Sequence, residues 1–310
     1  MWHAGVLKMI DQENEDRKTM GKVVRTITED GGILCCAVDS TDMAAAAEQI
    51  HTTSAVVTAA LGRLLTACSM MGTMLKSTKD SVTIRLAGDG PMGSAIAVAD
   101  GTGNVRGYVA NPVVEIPLNS QGKLDVAGAV GREGMLYVIK DMGMKEPYIG
   151  QTPIVSGEIA EDITHYYSTS EQTPTACGLG VLVNPDLTVQ AAGGYLVQLM
   201  PGVEEEAIER LEENLKKLPP VSAMLAQGST PEEIAFRVLE GFNPNLLDEY
   251  PVEYRCDCSR ERVERALISL GRKELEDMAA SEEPCEVGCQ FCNNKYRFSK
   301  EELMELAESR

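Results

Sequence analysis

"TDMAAAAEQIHTTSAVVTAALGRLLTACSMMGTMLK", from Thr41 to Lys76, is rich in Ala, Leu and Met. Parts of it are apolar on every side, a pattern that is typical of a helix covered from several directions. Just before it, "KVVRTITEDGGILCCAVD" (Lys22 to Asp39) contains two β-branched runs around Asp30-Gly31-Gly32, which predicts a β-hairpin. We therefore expect a helical block enclosed by a pair of sheets.

Five further strands are predicted after the helical block, separated by turns that contain Gly, Pro, Asn and Asp. Their sequences are "VTIRLAG", "SAIAVAD", "NVRGYVA", "MLYVIK" and "YIGQTPIV". A short helix near Glu158 to Tyr167 follows, and "GLGVLVN" and "YLVQLM" predict two final strands. This order predicts an α+β fold in which residues 1–200 form a layered β/α/β core domain around the buried helical block.

The sequence changes character after Pro201-Gly202. "VEEEAIERLEENLKKL" (Val203 to Leu218) places apolar residues on one helical face and acidic residues on the other. Thr230-Pro231-Glu232-Glu233 has the cap, proline and glutamate that start a second helix. Residues 201–247 are therefore predicted to be a helical linker. Two interpretations remain open: helices that simply pack on the core, or a conditional segment that unfolds once it leaves its partner surface.

The last part of the chain contains two close pairs of cysteines. Cys256-x-Cys258 lies in "YRCDCSRERV", and Cys289-x-x-Cys292 lies in "PCEVGCQFCNNKYRF". Four thiolates in two pairs, separated by a helical segment, match a closed tetrahedral zinc site to which each pair gives two ligands. Cys285 is an alternative ligand or a bystander, and the tighter CxxC spacing favours Cys289. Residues 248–310 are thus predicted to be a small zinc-binding domain.

The predicted metal has a structural and a chemical consequence. A unit of about sixty residues has a small core, whereas structural zinc contributes on the order of 10 to 16 kcal/mol that appears only on folding. Zinc also keeps the sulfurs as thiolates, the form that oxidants attack, and Cys289 and Cys292 are close enough along the chain to form a disulfide. A Cys256 to Cys258 disulfide would close a very small ring, so it needs a backbone that is free to adapt. Oxidation could therefore release the fold that the same four residues hold.

The composition argues against several classes of function. The 310 residues carry a formal net charge of −19, which opposes a phosphate-binding surface and makes a nucleic acid an unexpected partner. No run approaches eighteen uninterrupted apolar residues and the first twenty residues do not resemble a signal peptide, so we expect a soluble cytoplasmic protein without a membrane partner. Clustered cysteines in that compartment more often bind metal or sense oxidants than form structural disulfides.

The other motifs do not predict catalysis. "GDGPMG", from Gly88 to Gly93, fits G-x-G-x-x-G but is followed by a strand instead of a helix, so we interpret it as a turn. No nucleophile, base and orienting group occur together, and we predict that the protein is not an enzyme. The remaining candidates are interpreted as packing or interfacial residues: Cys35, Cys36, Cys68, Cys177 and His165.

Two rival functions use the cysteine pairs differently. A thiol oxidoreductase would place Cys289 and Cys292 at the start of a helix in a βαβ unit, but "NNKYRF" after Cys292 favours a zinc knuckle that leads into a strand. A zinc ribbon that binds RNA is disfavoured by the acidic composition.

The whole chain resembles the 33-kilodalton heat-shock protein family, redox-regulated holdase chaperones of the bacterial cytosol. The matching motifs occur in the order of the family: "HTTSAVVTAALGRLLTA", "GDGPMG", "GNVRGYVANP", "SEQTPT", "AAGGYLVQLMPG", "CDCSRER" and "CQFCNNKYRF". This resemblance implies an ATP-independent chaperone that binds unfolding client proteins and prevents their aggregation under oxidative stress.

The resemblance also implies a mechanism for these residues. The reduced protein would hold one zinc per chain through Cys256, Cys258, Cys289 and Cys292, and would be inactive. Oxidation would form the Cys289–Cys292 disulfide and then the Cys256–Cys258 disulfide, release zinc and loosen the linker. The active form would be a homodimer. Cys285 lies outside the four-ligand pattern of the family.

Overall fold

The computed structural model describes residues 21–281 and 284–309. Residues 1–20 of the predicted core domain lie outside the described residues. The chain has mixed α and β structure and divides after Tyr254 into two compact units, Met1–Tyr254 and Arg255–Arg310. The predicted linker, residues 201–247, falls within the first unit, and residues 248–254 of the predicted zinc-binding domain do so too.

The first unit contains two antiparallel five-stranded sheets. The first sheet has the order β10-β1-β2-β9-β8 and the second has the order β5-β4-β3-β6-β7. The strands of the first sheet are β1 (Gly21–Ile27), β2 (Ile33–Asp39), β8 (Thr175–Val183), β9 (Val189–Leu199) and β10 (Asn245–Val252). Those of the second are β3 (Ser81–Gly88), β4 (Ser94–Asp100), β5 (Val105–Val109), β6 (Gly134–Asp141) and β7 (Tyr148–Pro153).

The predicted hairpin at the start of the chain is confirmed. Strands β1 and β2 pair through a turn in which the Asp30 carboxylate accepts a hydrogen bond from the Gly32 N–H at 2.9 Å. Gly31 has φ of 73°, a left-handed conformation that favours glycine. The "GDGPMG" segment connects β3 to β4, so its interpretation as a turn between strands is also confirmed.

The apolar block forms two helices, α1 (Thr41–His51) and α2 (Ala55–Thr73). They are separated at Thr52, whose φ of 51° and ψ of 54° are left-handed and stop the first helix. Every residue of α2 is buried except Ala55 and Arg63, and α2 contacts strands of both sheets. A side chain at Gly72 would meet the Asp100 carbonyl at 2.4 Å, so glycine lets the helix approach β4 closely.

Helix α2 is long and apolar enough to cross a membrane by length and composition alone, but 89% of its apolar window is buried inside the protein. Core helices of globular proteins have this same composition. Two shorter helices, α3 (Val126–Val130) and α4 (Ala160–Thr169), complete the core of the first unit. The buried Asp162 carboxylate accepts hydrogen bonds from the backbone N–H groups of Val155, Ser156, Gly157 and Ile159, and so fixes the start of α4.

Three helices of the predicted linker lie on the first sheet: α5 (Glu205–Lys217), α6 (Val221–Ala226) and α7 (Pro231–Val238). Helix α6 contacts β8 and β9, and α7 contacts β1 and β2. The predicted start of α7 is confirmed, because the Thr230 hydroxyl accepts a bond from the Glu233 N–H while the Glu233 carboxylate accepts one from the Thr230 N–H. Strand β10 was not predicted.

The second unit is small. It contains α8 (Arg260–Leu270), α9 (Arg272–Ala280), the hairpin of β11 (Cys285–Gly288) and β12 (Lys295–Phe298), and α10 (Lys300–Glu308). Among the described residues of this unit, the buried apolar cluster has six members: Leu267, Leu275, Ala279, Phe298, Leu303 and Ala307. Such a core is too small to give a domain much stability by hydrophobic burial alone.

Candidate metal centre

Two short segments of the second unit present the four cysteines. Cys256 and Cys258 immediately precede α8, whose start is capped by the Ser259 hydroxyl accepting a bond from the Arg262 N–H at 3.3 Å. Cys289 and Cys292 lie in the turn between β11 and β12. In this turn the Cys289 N–H donates to the carbonyl of Asn294 at 2.8 Å. The helix cap and the hairpin therefore fix the backbone on both sides of the cluster.

The structure brings the four predicted cysteines together. All four sulfur atoms lie within 4.8 Å of one another, and all four residues are half-buried. Two contacts between the pairs are short: 3.6 Å for Cys256 to Cys289 and 3.4 Å for Cys258 to Cys292. A tetrahedral site with Zn–S bonds of about 2.3 Å has S···S distances of about 3.8 Å. The S···S distances fit this geometry, and four thiolates are a ligand set that selects zinc and similar soft metals.

Two side chains of the hairpin contact the sulfur of Cys258. The Tyr296 hydroxyl donates to it at 3.0 Å, and the Asn294 amide donates at 3.9 Å. Burial raises the pKa of Cys258, but hydrogen bonds from Tyr296 and from the other thiols outweigh burial and lower it to about 7. Burial raises the pKa of Cys292 to about 11. Of these two thiols, Cys258 is therefore the more easily ionised.

Arg260 holds the first cysteine segment against the hairpin. Its guanidinium lies 4.3 Å from the centre of the Phe298 ring and donates to the Arg297 carbonyl at 2.9 Å. It also pairs with the Glu302 carboxylate of α10 at 2.6 Å. One side chain thus connects α8, β12 and α10, and it keeps Cys256 and Cys258 near Cys289 and Cys292.

Cys285 is not a member of the four-sulfur cluster. It is the first residue of β11, is paired in register with Phe298, and packs against the apolar cluster of the second unit. Burial raises its pKa. The contacts of Cys285 are therefore packing contacts, and the choice of Cys289 over Cys285 as a ligand stays a prediction.

The turn geometry also bears on the oxidoreductase alternative. Cys289 and Cys292 lie between two strands, whereas an activated CxxC pair of that class lies at a helix N-terminus. Other cysteines lie in surroundings that oppose ionisation of the thiol. Cys35, Cys36 and Cys68 are fully buried, and burial raises the pKa of each thiol. Cys177 and His165 are half-buried in β8 and α4, respectively.

The sequence did not reveal Tyr296 and Arg260 as parts of the site. A tyrosine four residues after Cys292 and an arginine two residues after Cys258 are ordinary surface residues in a linear sequence. They reach the cluster because the hairpin and the start of α8 fold together.

Comparisons with known proteins agree over most of the chain. A profile of the family described as Hsp33 protein matches residues 21–299. The chain is 49% identical over 284 residues to the 33 kDa chaperonin of Lachnoclostridium phytofermentans, covering 92% of this chain and 97% of that relative. It is 49% identical over 287 residues to the 33 kDa chaperonin of Bacillus cytotoxicus, covering 93% and 98%. The structure is similar to a crystal structure of the 33 kDa chaperonin (heat shock protein 33 homolog) of Thermotoga maritima, with a TM-score of 0.85, 39% identity, and coverage of 93% and 98%.

Proposed function

The chain belongs to the Hsp33 family, and on that basis we propose that it is a redox-regulated chaperone of the cytoplasm. It binds unfolding proteins without ATP, prevents their aggregation under oxidative stress, and turns over no substrate. The observation that carries this proposal is the cluster of four thiols within 4.8 Å of one another in a unit with only a small apolar core. Its relatives are named chaperonins, which supports the chaperone part of the proposal.

Cys256, Cys258, Cys289 and Cys292 hold one zinc ion in the reduced protein. When bound, zinc supplies a structural cross-link and keeps the four sulfurs as thiolates. The hydrogen bond from Tyr296 orients the Cys258 sulfur, and the contacts of Arg260 fix the segment that carries Cys256 and Cys258.

Oxidation converts the four thiols into two disulfides. In each, two thiolates lose two electrons to one hydrogen peroxide molecule, which takes up two protons from water and is reduced to two water molecules. We assign the first disulfide to Cys289 and Cys292 and the second to Cys256 and Cys258. Disulfide sulfur is a poor metal ligand, so the oxidised residues no longer cross-link the second unit, and six buried apolar side chains are insufficient to keep it folded.

The linker helices cover the surface that clients bind. Five side chains of the first sheet are buried beneath them: Ile33, Cys35, Ala37, Ala191 and Val197. Helix α5 has the predicted one-sided pattern, yet Leu211 is its one fully buried residue. Most of the covering surface comes from α6 and α7, through Val221, Met224, Leu225, Ile234, Ala235 and Val238. We therefore propose that the client surface includes the sheet face beneath α6 and α7 as well as the surface covered by residues 203–218.

We further propose that the first unit has two parts that behave differently on oxidation. A β/α/β core, residues 1–200, remains folded while the linker, residues 201–247, loosens together with the C-terminal part of the chain. The exposed sheet face then offers a contiguous apolar surface to clients and to a second copy of the chain, which forms the active homodimer.

The test measures zinc and chaperone activity in the same samples of reduced and peroxide-treated protein. A chromogenic chelator reports released zinc, and light scattering reports aggregation of a thermally unfolding client. We expect about one zinc per chain to leave, and suppression of aggregation to appear only after oxidation. Retained zinc, or equal suppression in both states, would exclude the redox switch. A Cys285→Ser variant serves as the control, since it should release zinc and gain activity as the unaltered protein does.

A further inference from the structure

Lys22 of β1 connects the first sheet to two elements that lie much later in the chain. Its ammonium forms an ion pair with the Glu232 carboxylate of α7 and a second one with the Glu249 carboxylate of β10, the latter at 3.3 Å. One cation therefore lies between two carboxylates of different elements. In the part of the chain that the structure describes, the pair with Glu232 is the one ion pair that joins a linker helix to the sheet beneath it, because those of α5 lie within that helix.

The Glu232 carboxylate is partly buried while α7 lies on the sheet. Its side chain is 23% exposed, and its Oε2 atom is buried with no hydrogen-bond partner among the described residues. Burial by itself would raise the pKa of Glu232, but the hydrogen bond from Lys22 leads the effects that lower it below the usual value of 4.5. Glu232 therefore keeps its charge in this position because the Lys22 ammonium is beside it.

The two partners of this ion pair differ in what each would leave behind if it were removed. Without Lys22, Glu232 would be a partly buried carboxylate with no partner, and a second carboxylate, that of Glu249, would lie near it. Without Glu232, the Lys22 ammonium would still pair with Glu249, and the Lys22 side chain is 37% exposed to water. Removal of one partner is most costly when it leaves a buried charge uncompensated. The position of α7 on the sheet therefore depends on Lys22 more than on Glu232.

We propose that Lys22 is an autoinhibitory latch, whose charge opposes the release of α7 from the first sheet. This inference rests on the proposed function and adds to it the residue that resists release of the linker. Strand β10 is attached to β1 independently, by backbone pairing and by the Arg25–Asp248 ion pair, so the latch acts on α7 more than on β10. Once α7 moves and water enters, Glu232 is solvated and the attraction weakens steeply, so the latch resists the first displacement of the helix.

Hydrogen exchange of α7 in the reduced, zinc-loaded full chain tests the latch with a set of variants. In Lys22→Met the amides of residues 232–238 should exchange at least about fivefold faster, because a buried carboxylate has lost its partner. Glu232→Met should change this rate by less than about twofold. The double variant Lys22→Met/Glu232→Met should return to within about twofold of the unaltered rate, since it contains no uncompensated buried charge. Lys22→Arg keeps the cation and should also stay within about twofold.

The matched control is Lys216→Met in α5. It removes the same charge from an exposed ion pair, in which the side chains of Lys216 and Glu212 are 73% and 60% exposed, and it should leave exchange of α7 unaltered. Zinc content and circular dichroism verify that each variant is folded. The functional readout is the time course of aggregation suppression after peroxide is added. Lys22→Met should reach half-maximal suppression sooner than the unaltered protein, whereas the double variant should not.

Unaltered exchange of α7 in Lys22→Met, or equally fast exchange in Glu232→Met, overturns the inference. A double variant that exchanges as fast as Lys22→Met also overturns it, because the packing of the Lys22 side chain and not its charge would then hold α7. Two further results do the same: equally accelerated exchange in α2, which indicates global destabilisation, and faster exchange of α7 with an unaltered time course of activation. If the oxidised unaltered protein suppresses aggregation in these cases, the inference fails while the proposed function stands; absence of that suppression in the unaltered protein indicates failure of the proposed function.

Discussion

The sulfur of Cys256 lies 3.6 Å from the sulfur of Cys289, a member of the other cysteine pair. The second close contact, Cys258 to Cys292 at 3.4 Å, also runs between the pairs. The reduced geometry therefore allows disulfides between the pairs as well as within them, since all four sulfurs lie within 4.8 Å of one another. Cross-pair disulfides would tie α8 to the hairpin and preserve the unit, whereas disulfides within each pair leave the two segments free to separate.

We predict that oxidised protein contains the Cys289–Cys292 and Cys256–Cys258 disulfides. Digestion without reduction and peptide mass spectrometry will identify the linked residues, and samples taken over time will show Cys289–Cys292 first. A dominant Cys256–Cys289 or Cys258–Cys292 link would contradict the proposal, because such a link keeps the second unit closed while abolishing its metal ligands.

Removal of one cysteine ligand should partly activate the protein without an oxidant. Cys289→Ser leaves three thiols, and we expect weakened zinc binding, an unfolded second unit and partial chaperone activity in the reduced state. Zinc content and hydrogen exchange of residues 255–310 are the measurements. Cys285→Ser is the matched control in the same hairpin and should retain zinc, since Cys285 lies outside the cluster. Unchanged zinc content in Cys289→Ser would rule out its assignment as a ligand.

Tyr296→Phe removes a single hydroxyl, the one that donates to the Cys258 sulfur at 3.0 Å. Loss of a hydrogen bond to a metal ligand typically reduces metal affinity by about 10-fold or more, and we expect a reduction of that order. Competition with a chelator of known affinity measures it. Because the ring is retained, packing should be preserved, so an unaltered zinc affinity would show that this hydrogen bond does not support the site.

The sequence predicted the parts of the fold that depend on local pattern. The strands around Asp30-Gly31-Gly32 and the apolar helical block are recognisable because side-chain periodicity and turn residues specify them directly. The break at Thr52 was missed because no glycine or proline marks it. Strand β10 was missed because six of its eight residues are exposed or polar, and it exists as a strand only through its pairing with β1.

The candidate site was predictable for the same reason. Cysteine spacing along the chain identifies Cys256, Cys258, Cys289 and Cys292, because each pair must supply adjacent ligands. The contributions of Tyr296 and Arg260 could not be predicted, since they depend on hairpin register and on contacts between elements. The sequence pattern also did not show how much of the first sheet α6 and α7 cover. Val221 and Ile234 lie in short helices, whose amphipathic pattern is less marked than that of α5.

The alkylation rate of Cys35 should show whether the linker helices leave the first sheet. It is fully buried and belongs to the cluster beneath α6 and α7, while its neighbour Cys36 faces the core cluster. We expect alkylation of Cys35 by N-ethylmaleimide to become at least about tenfold faster after oxidation, because the covering helices leave. Peptide fragmentation distinguishes the two residues, and Cys36 and Cys68 are internal controls that should stay protected. Equal exposure of Cys35 and Cys36 would indicate global unfolding, and continued protection of Cys35 in active protein would place the client surface elsewhere.

Acid should weaken the attachment of β10 to the first unit. The Arg25 guanidinium binds both oxygens of Asp248 and also donates to the Thr73 carbonyl at the end of α2 at 2.8 Å. The hydrogen bond from Arg25 holds the pKa of Asp248 below its usual value of 3.8. A carboxyl with a lowered folded-state pKa contributes stability above its unfolded-state pKa and loses it as pH falls through the folded value.

We expect Asp248→Asn to cost about 1 kcal/mol in the free energy of unfolding at pH 7. The difference from the unaltered protein should shrink in urea titrations as the pH falls below 3.8 and through the lower folded-state pKa of Asp248. A difference that persists once Asp248 is protonated would mean that packing, and not the ion pair, explains the loss.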